Sequence, residues 1–551
     1  MEYFGLNAAG TARDANGSER GLLVMNHEAI TDNFLHAAGV TPNPRPASEA
    51  DKEIPAHGIS IVEVRKANGQ FATQQASSYN RRITPFSPMQ INGLARGSAV
   101  MKTKFSTTGN DSRGTINNCG TGYTPWGTYL SGEENWAGYF TRSATDNTAR
   151  GATSKSVVSL NRYGRAQGAA SRHGWQTAGT DDKYARWDVS QTGTSIDGTD
   201  DYRNELNTFG YMVEVDPYDK AVAIRKRTSM GRFAHESGVF GKLVAGKPIA
   251  VYMGDDSRNE YIYKFVSTAN WDAADANPAN RITTGDKYLD SGKLYVAKFN
   301  ADGTGQWVEL SMANATVTGS AVYAFADNAD VVVNARLAAD AVGATKMDRP
   351  EWCAVHPTTG EIYYTLTNNS TRKLEPVTGQ SAVDAANPRS YTDSFAGGAQ
   401  GSAGNVNGHI LRMREAADAS NATSFTWDVY LFGAQADADL AKVNLSALTN
   451  DQDFSSPDGL WFSPKTGLCF IQTDDGAYTD ATNCMLLIGL PGKVGDGTTP
   501  TLSYTKADVI DPSKYLSHWP GNAGYGAGGA TARPRSATLA ITKNDGGLIG
   551  T

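Results

Sequence analysis

Acidic residues recur at comparable places in this 551-residue chain. Pro350-Glu351 opens a segment that continues Trp352-Cys353-Ala354-Val355 and turns at Pro357-Thr358-Thr359-Gly360. Pro457-Asp458 opens a second segment that turns at Pro464-Lys465-Thr466-Gly467, with a constant offset between the two copies. Turn propensity does not explain an acid held at one place in both. A looser copy begins at Glu236 and ends in Gly254-Asp255-Asp256, and a fourth fragment, from Thr124 to Asn135, ends in Glu133-Glu134. Carboxylates brought together cannot stay bare, because like charges raise one another's pKa or recruit cations. An all-oxygen set suits Ca²⁺, Mg²⁺ or Mn²⁺, and a thiolate moves the preference toward a transition metal. Cys119 lies between Asn117-Asn118 and Gly120, a polar stretch rather than the apolar run expected of a structural cysteine. Gly-Asp-Asp at a strand end is also ordinary turn chemistry, so for each acid taken singly both readings stand.

Basic residues complete the pattern. Arg349 directly precedes Pro350-Glu351, and Arg533 and Arg535 stand close together near the C-terminus. A guanidinium fork matches phosphate or carboxylate oxygens bidentately, although a surface ion pair is the readier explanation of either C-terminal arginine taken alone. Metals beside arginines describe an anion site, most simply one for phosphoryl transfer. There is no Gly-x-x-x-x-Gly-Lys-Ser/Thr loop, no His-Glu-x-x-His and no Gly-x-Ser-x-Gly elbow. The one Gly-x-Gly-x-x-Gly, from Gly524 to Gly529, follows no strand and opens no helical pattern, and reads as a loop.

The elements that must position these residues read as short strands. Leu22 to Met25, Ile59 to Val64, Ile249 to Met253, Ile362 to Thr365 and Leu468 to Ile471 are apolar runs bounded by Gly, Pro, Asn or Asp. The 58 glycines imply frequent tight turns. Helical periodicity is confined to about 321–344 and 437–448. Repeated hairpins with a recurring turn indicate a β-propeller or another repeat architecture, and in a propeller one acid per copy would face a central channel. The repeat interval exceeds a minimal blade, so the blades carry insertions, of which the polar stretch 141–207 is one. The expected fold is all-β, a repeat architecture with loop and short helical insertions, spanning 1–551 as a single domain. Cys469 and Cys484 flank a hairpin and could pair.

Taken in order, these segments resemble the alkaline phosphatases of the PhoX family. The resemblance rests on Leu23-Val24-Met25-Asn26-His27-Glu28, Asn118-Cys119-Gly120, Thr124-Pro125-Trp126-Gly127-Thr128, Ser131-Gly132-Glu133-Glu134-Asn135 and Gly231-Arg232-Phe233-Ala234-His235-Glu236. Gly254-Asp255-Asp256, Arg349-Pro350-Glu351, Ser456-Pro457-Asp458-Gly459 and Arg533-Pro534-Arg535-Ser536-Ala537 continue it. The resemblance implies a six-bladed β-propeller holding in its channel a metal cluster of two ferric ions and three calcium ions around a bridging oxo group, with a cysteine among the iron ligands. It implies Cys119, Glu236, Asp255, Glu351 and Asp458 as ligands, with Glu28, Glu134 and Asp256 beside them. Arg349 would act in catalysis and contact the substrate phosphate, and Arg535 or Arg533 would add a second contact. The implied reaction is hydrolysis of phosphate monoesters by a metal-activated oxygen nucleophile, releasing inorganic phosphate.

Two other readings remain open on the residues alone. One is a calcium-dependent propeller lactonase or esterase, which needs no thiolate. The other is a non-catalytic binding propeller held together by calcium. The net charge of −7 and the lack of a basic block exclude nucleic acid as the expected partner. No apolar run is long enough to span a membrane. The first residues show no basic and apolar signal pattern. They therefore leave a cytosolic protein or a processed export signal, and the family resemblance implies a periplasmic or secreted enzyme. A monomer acting on small phosphate esters is expected.

Overall fold

The computed structural model describes residues 1–393, 402–449, 452–474, 484–494 and 547–549. The chain is sheet-rich, with 32% strand against 17% helix. It divides into two compact units. The first comprises Met1–Val251, Lys264–Tyr295 and Glu309–Gly343, and the second Tyr252–Tyr263, Val296–Val308 and Ala344–Thr551.

In the first unit, β1 (Glu2–Gly5), β2 (Arg20–His27), β3 (Gly58–Ala67) and β4 (Gln70–Thr73) lie in that order, with β5 (Arg81–Ile83) also on β3. The alternation foreseen around Leu22 and Ile59 holds. Phe4, Leu22, Val24, Ile59, Ile61 and Ile83 bury on one face, each contributing about 1.5–3 kcal/mol. A second sheet runs β7 (Asp111–Arg113), β6 (Pro88–Asn92), β11 (Ile224–Arg227), β10 (Met212–Val215), β9 (Tyr129–Glu133) and β8 (Asn118–Tyr123). Cys119 therefore sits in a strand, not in the loop that its polar neighbours suggest. Asn118 donates through Nδ2 to Thr115 Oγ1 (2.7 Å) and Ser131 Oγ (2.8 Å), so a polar side chain finds acceptors inside a sheet.

The stretch 141–207 is polar overall but not a loop. It carries the short helices α3 (Asp146–Arg150), α4 (Lys155–Arg162) and α5 (Asp182–Ala185). Its Leu160, Tyr163, Trp175, Tyr184, Trp187 and Leu206 form a core with Trp136 and Phe140. The scattered aromatics, rather than any periodic pattern, supply that core. Two earlier helices precede it in the chain, α1 (Asp32–Leu35) and α2 (Ala47–Glu53). The expected helix in 321–344 is present as α8 (Asn328–Val333) and α9 (Ala335–Ala341), after α6 (Arg281–Leu289) and α7 (Ala315–Thr318). The one expected in 437–448 is absent. There the Val443 N–H closes a single helical turn on Asp439 O, but the Asn444 side chain donates to Ala436 O and Leu448 O and accepts the Leu448 N–H, so local side-chain bonds win over the helix.

Strands β12 (Val239–Phe240), β13 (Pro248–Gly254), β14 (Ile262–Asn270) and β15 (Gly292–Phe299) follow. In the second unit, β17 (Pro350–Val355), β18 (Ile362–Leu366), β21 (His409–Glu415) and β22 (Ser424–Phe432) pair antiparallel in sequence, and β16 (Thr304–Glu309) joins β22. A short pair, β19 (Tyr391–Asp393) with β20 (Ser402–Gly404), stands apart. The last sheet runs β23 (Pro457–Phe462), β24 (Cys469–Thr473), β25 (Leu486–Leu490) and β26 (Gly547–Ile549). Tyr363, Ile410, Leu431, Leu460, Ile471 and Leu487 share one core. Cys469 is buried and Cys484 exposed, and the disulfide that their spacing left open is not formed.

Candidate metal centre

The repeat read from the sequence is a repeat of backbone geometry. Hairpin β17–β18 pairs Pro350 with Leu366 and resumes only at Cys353 with Tyr364. Hairpin β23–β24 pairs Pro457 with Thr473 and resumes at Leu460 with Ile471. The two breaks coincide residue for residue. Each follows a left-handed residue, Arg349 (φ +59°) or Ser456 (φ +53°). The same device occurs in the first unit. Asn117 is left-handed (φ +50°), and the β8–β9 register breaks between Asn118 and Thr121. Glu351, Asp458 and Cys119 are thus equivalent residues, each second in its strand and inside a bulge. A bulge frees a residue from the ladder and re-aims its side chain. A left-handed conformation costs a non-glycine residue about 1–2 kcal/mol, and backbone strain of this kind clusters at active sites and ligand clamps.

In the first unit, one donor atom each from Glu28, Cys119 and Glu134 lie within 4.8 Å of one another, and a Glu236 carboxylate oxygen lies within the same distance of Glu134. Glu134 and Glu236 are buried. Asn117 ties this group together: its O accepts the Glu134 N–H (3.0 Å), and its Nδ2 donates to Glu28 O (3.2 Å) and Tyr139 Oη (3.3 Å). Asn26 at the end of β2 donates to Cys119 O (2.7 Å) and accepts from Tyr129 Oη (2.8 Å) and Ser131 Oγ (2.9 Å). Gly120 has a steric reason. A Cβ there would lie 1.5 Å from Glu236 O, so only glycine lets the Glu236 segment rest on β8.

In the second unit, a Glu351 and an Asp458 carboxylate oxygen lie within 4.8 Å of each other. Arg349 donates from Nε and Nη2 to both oxygens of Asp256, at 2.8 Å each, and its Nη2 lies 2.7 Å from Glu351 Oε1. Gly254 lies against Pro350 and Glu351, and a Cβ on it would meet Glu351 O at 2.4 Å. The residue before Arg349 is anchored: Asp348, fully buried, accepts from Arg372 (2.8 Å), Asn369 (2.8 Å) and Asn405 (3.0 Å). Burial raises the Asp348 carboxyl above its usual range, and Arg372 opposes that rise. Asp255 is buried, with its N–H on Tyr261 O (3.1 Å), and its carboxylate is not among the clustered donors of the described residues. Arg533 and Arg535 lie outside the described residues, as does 524–529. His235 is a structural histidine: its Nε2 bonds Gly231 O (2.9 Å), its ring stacks on Phe233, and burial lowers its pKa to about 3.

Asn26, Asn117 and Asp348 escaped the sequence reading. Only Asn26 left a signal, as a polar residue closing an apolar alternation. Asn26→Leu removes the bonds that seat Cys119, and kcat/KM is expected to fall about 10–100-fold. Steady-state kinetics together with iron content checks this; full activity in a folded variant would refute the positioning role.

The sequence model described as alkaline phosphatase PhoX matches residues 1–539. The chain belongs to the alkaline phosphatase PhoX family. A solved structure, Pseudomonas fluorescens PhoX in complex with vanadate, a transition state analogue, is similar at 34% identity and a TM-score of 0.71. The match covers 88% of this chain and 77% of that one. No curated protein matches the sequence. The phosphatase is a metal-dependent enzyme that hydrolyses phosphate monoesters. Its clustered acids and thiol fit that dependence, because two carboxylates and a thiol around one point form a donor set for a borderline transition ion, and buried carboxylates without cations would repel one another. Among the described residues, no helix is long and apolar enough to cross a membrane.

Proposed function

We propose that the phosphatase binds iron and calcium, with Cys119, Glu28, Glu134, Glu236, Asp255, Asp256, Glu351 and Asp458 as their ligands. The observation that carries this reading is the shared bulge at Cys119, Glu351 and Asp458. Three chemically different residues occupy one structural position, and what they have in common is the capacity to bind a cation. Cys119 is the soft donor that favours iron, and the oxygen donors suit calcium. When bound, the ions supply Lewis acidity toward the phosphoryl oxygens and activate the attacking oxygen.

The work of the chain's own residues follows. Arg349 binds the non-bridging phosphoryl oxygens as charge develops on them. Asp256 and Glu351 fix the plane of its guanidinium, and Asp348 holds the backbone it springs from. Arg533 or Arg535 provides a second contact to the phosphate. The wider reading is a six-bladed propeller, a single domain acting as a monomer, and a periplasmic or secreted location. The family match and the similarity to the solved structure support it.

Exhaustive chelation with EGTA tests the centre. Activity is expected to disappear and the melting temperature to fall, because metal binding contributes to folding free energy. Elemental analysis should find iron and calcium together in the purified protein. Unchanged activity after chelation would overturn the calcium assignment, and calcium without iron would overturn the role of Cys119.

A further inference from the structure

A second group of metal-binding side chains lies outside these ligands, and the helical insertion supplies part of it. Asp32 comes from α1, Glu49 and Glu53 come from α2, His36 lies between them, and His173 precedes Trp175 in the stretch 141–207. One donor atom each from Asp32, Glu53 and His173 lie within 4.8 Å of one another, and the same holds for His36, Glu49 and Glu53. The His173 side chain is only 5% exposed, with Nδ1 3.6 Å from Asp32 Oδ1. Among the described residues, neither of its ring nitrogens has a hydrogen-bond partner, and neither does Asp32 Oδ1. Native proteins rarely leave a buried imidazole in that condition. Its ring plane is set by stacking on Trp175 (centroids 4.9 Å apart, 13° between planes).

Glu53, fully buried, is held in place from three sides. Trp175 Nε1 donates to its Oε2 (2.7 Å), His36 Nε2 lies 2.8 Å from its Oε1, and Arg45 pairs with it. Such outer contacts orient metal ligands. Three carboxylates face two guanidinium groups, Arg45 beside Glu49 and Glu53 and Arg172 beside His173, which leaves an excess of negative charge.

We propose that Asp32, Glu53 and His173 bind one divalent first-row transition ion of the zinc class, at a site separate from the phosphatase centre. Two oxygens and an imidazole nitrogen form a borderline donor set, unlike the thiolate or all-oxygen sets above. Burial, His57, Arg172 and Arg45 lower His173 to about 3, so the ring is neutral and its lone pair is available. Burial and the charge of Glu53 raise the Asp32 carboxyl, a rise that a cation would reverse. The ion staples the segment just after Glu28 to the insertion 141–207, which gives that insertion a structural task.

The test uses the full-length phosphatase with its iron and calcium in place, dialysed against Zn²⁺ and then against metal-free buffer. Wild type is expected to retain about one zinc equivalent per chain more than His173→Gln or Asp32→Asn, at equal iron and calcium. Added Zn²⁺ should raise the melting temperature of wild type and of neither variant. Equal zinc in all three proteins, or no zinc-dependent rise for wild type, would overturn the site. If His173→Gln does not fold, Asp32→Asn, at a side chain 30% exposed, carries the comparison. Failure of the iron–calcium reading shows separately, as missing iron or calcium in wild type.

Discussion

Cys119→Ala is expected to lose iron and to lower kcat/KM by at least about a hundredfold, since even outer-shell changes at metal sites cost 10–100-fold. The backbone that holds the thiol does not depend on it. Asn117 is left-handed and bonded through both its O and its side chain, Asn26 grips Cys119 O, and Gly120 receives the Glu236 segment. The variant should therefore fold, and the loss should appear in metal content and turnover rather than in secondary structure. Cys119→Ser should not restore iron, because a hydroxyl is a weaker and harder donor than a thiolate. Elemental analysis and kinetics on the same preparation check this, and retention of iron and activity by Cys119→Ala would remove Cys119 from the ligand set.

Arg349→Ala is expected to cost about 10²–10³ in kcat/KM while iron and calcium stay bound. The loss belongs to the guanidinium and not to backbone strain, because Ala and Arg both carry a Cβ and bear the same left-handed penalty at φ +59°. Arg349→Gly removes that penalty and should be at least as stable, yet equally impaired. Arg349→Lys should recover little, since a point charge cannot reproduce the two-pronged contact with Asp256 or with a phosphoryl group. Normal kcat/KM in Arg349→Ala would rule out the role, and loss of metal from it would recast Arg349 as a structural residue.

Much of this was legible in the residues because it is local. An acid at one offset after Pro350 and Pro457, a thiol between polar neighbours, and apolar runs alternating at period two are read directly from neighbours in the chain. The strands at Leu22, Ile59 and Ile362 formed where that alternation placed them. The helix expected in 437–448 failed because the Asn444 side chain took up Ala436 O and both backbone groups of Leu448, a competition invisible to periodicity. Polarity misled at Asn118 and Cys119, which belong to a strand where the Asn118 amide donates to Thr115 and Ser131, while the polar insertion 141–207 contains a core built on scattered tryptophans and tyrosines.

By itself the sequence determined the family, the acids and the thiol, because donor chemistry belongs to residue type and spacing alone. The tertiary structure decided that Cys119, Glu351 and Asp458 are one position repeated, since a left-handed residue followed by a broken register is a property of paired strands and not of any residue string. It also decided which residues hold the donors, as Asn26, Asn117 and Asp348 act through contacts with residues distant in the chain. His173 and Asp32, far apart in sequence, meet only because the core under the insertion carries one to the other, and long-range proximity of that kind follows from packing.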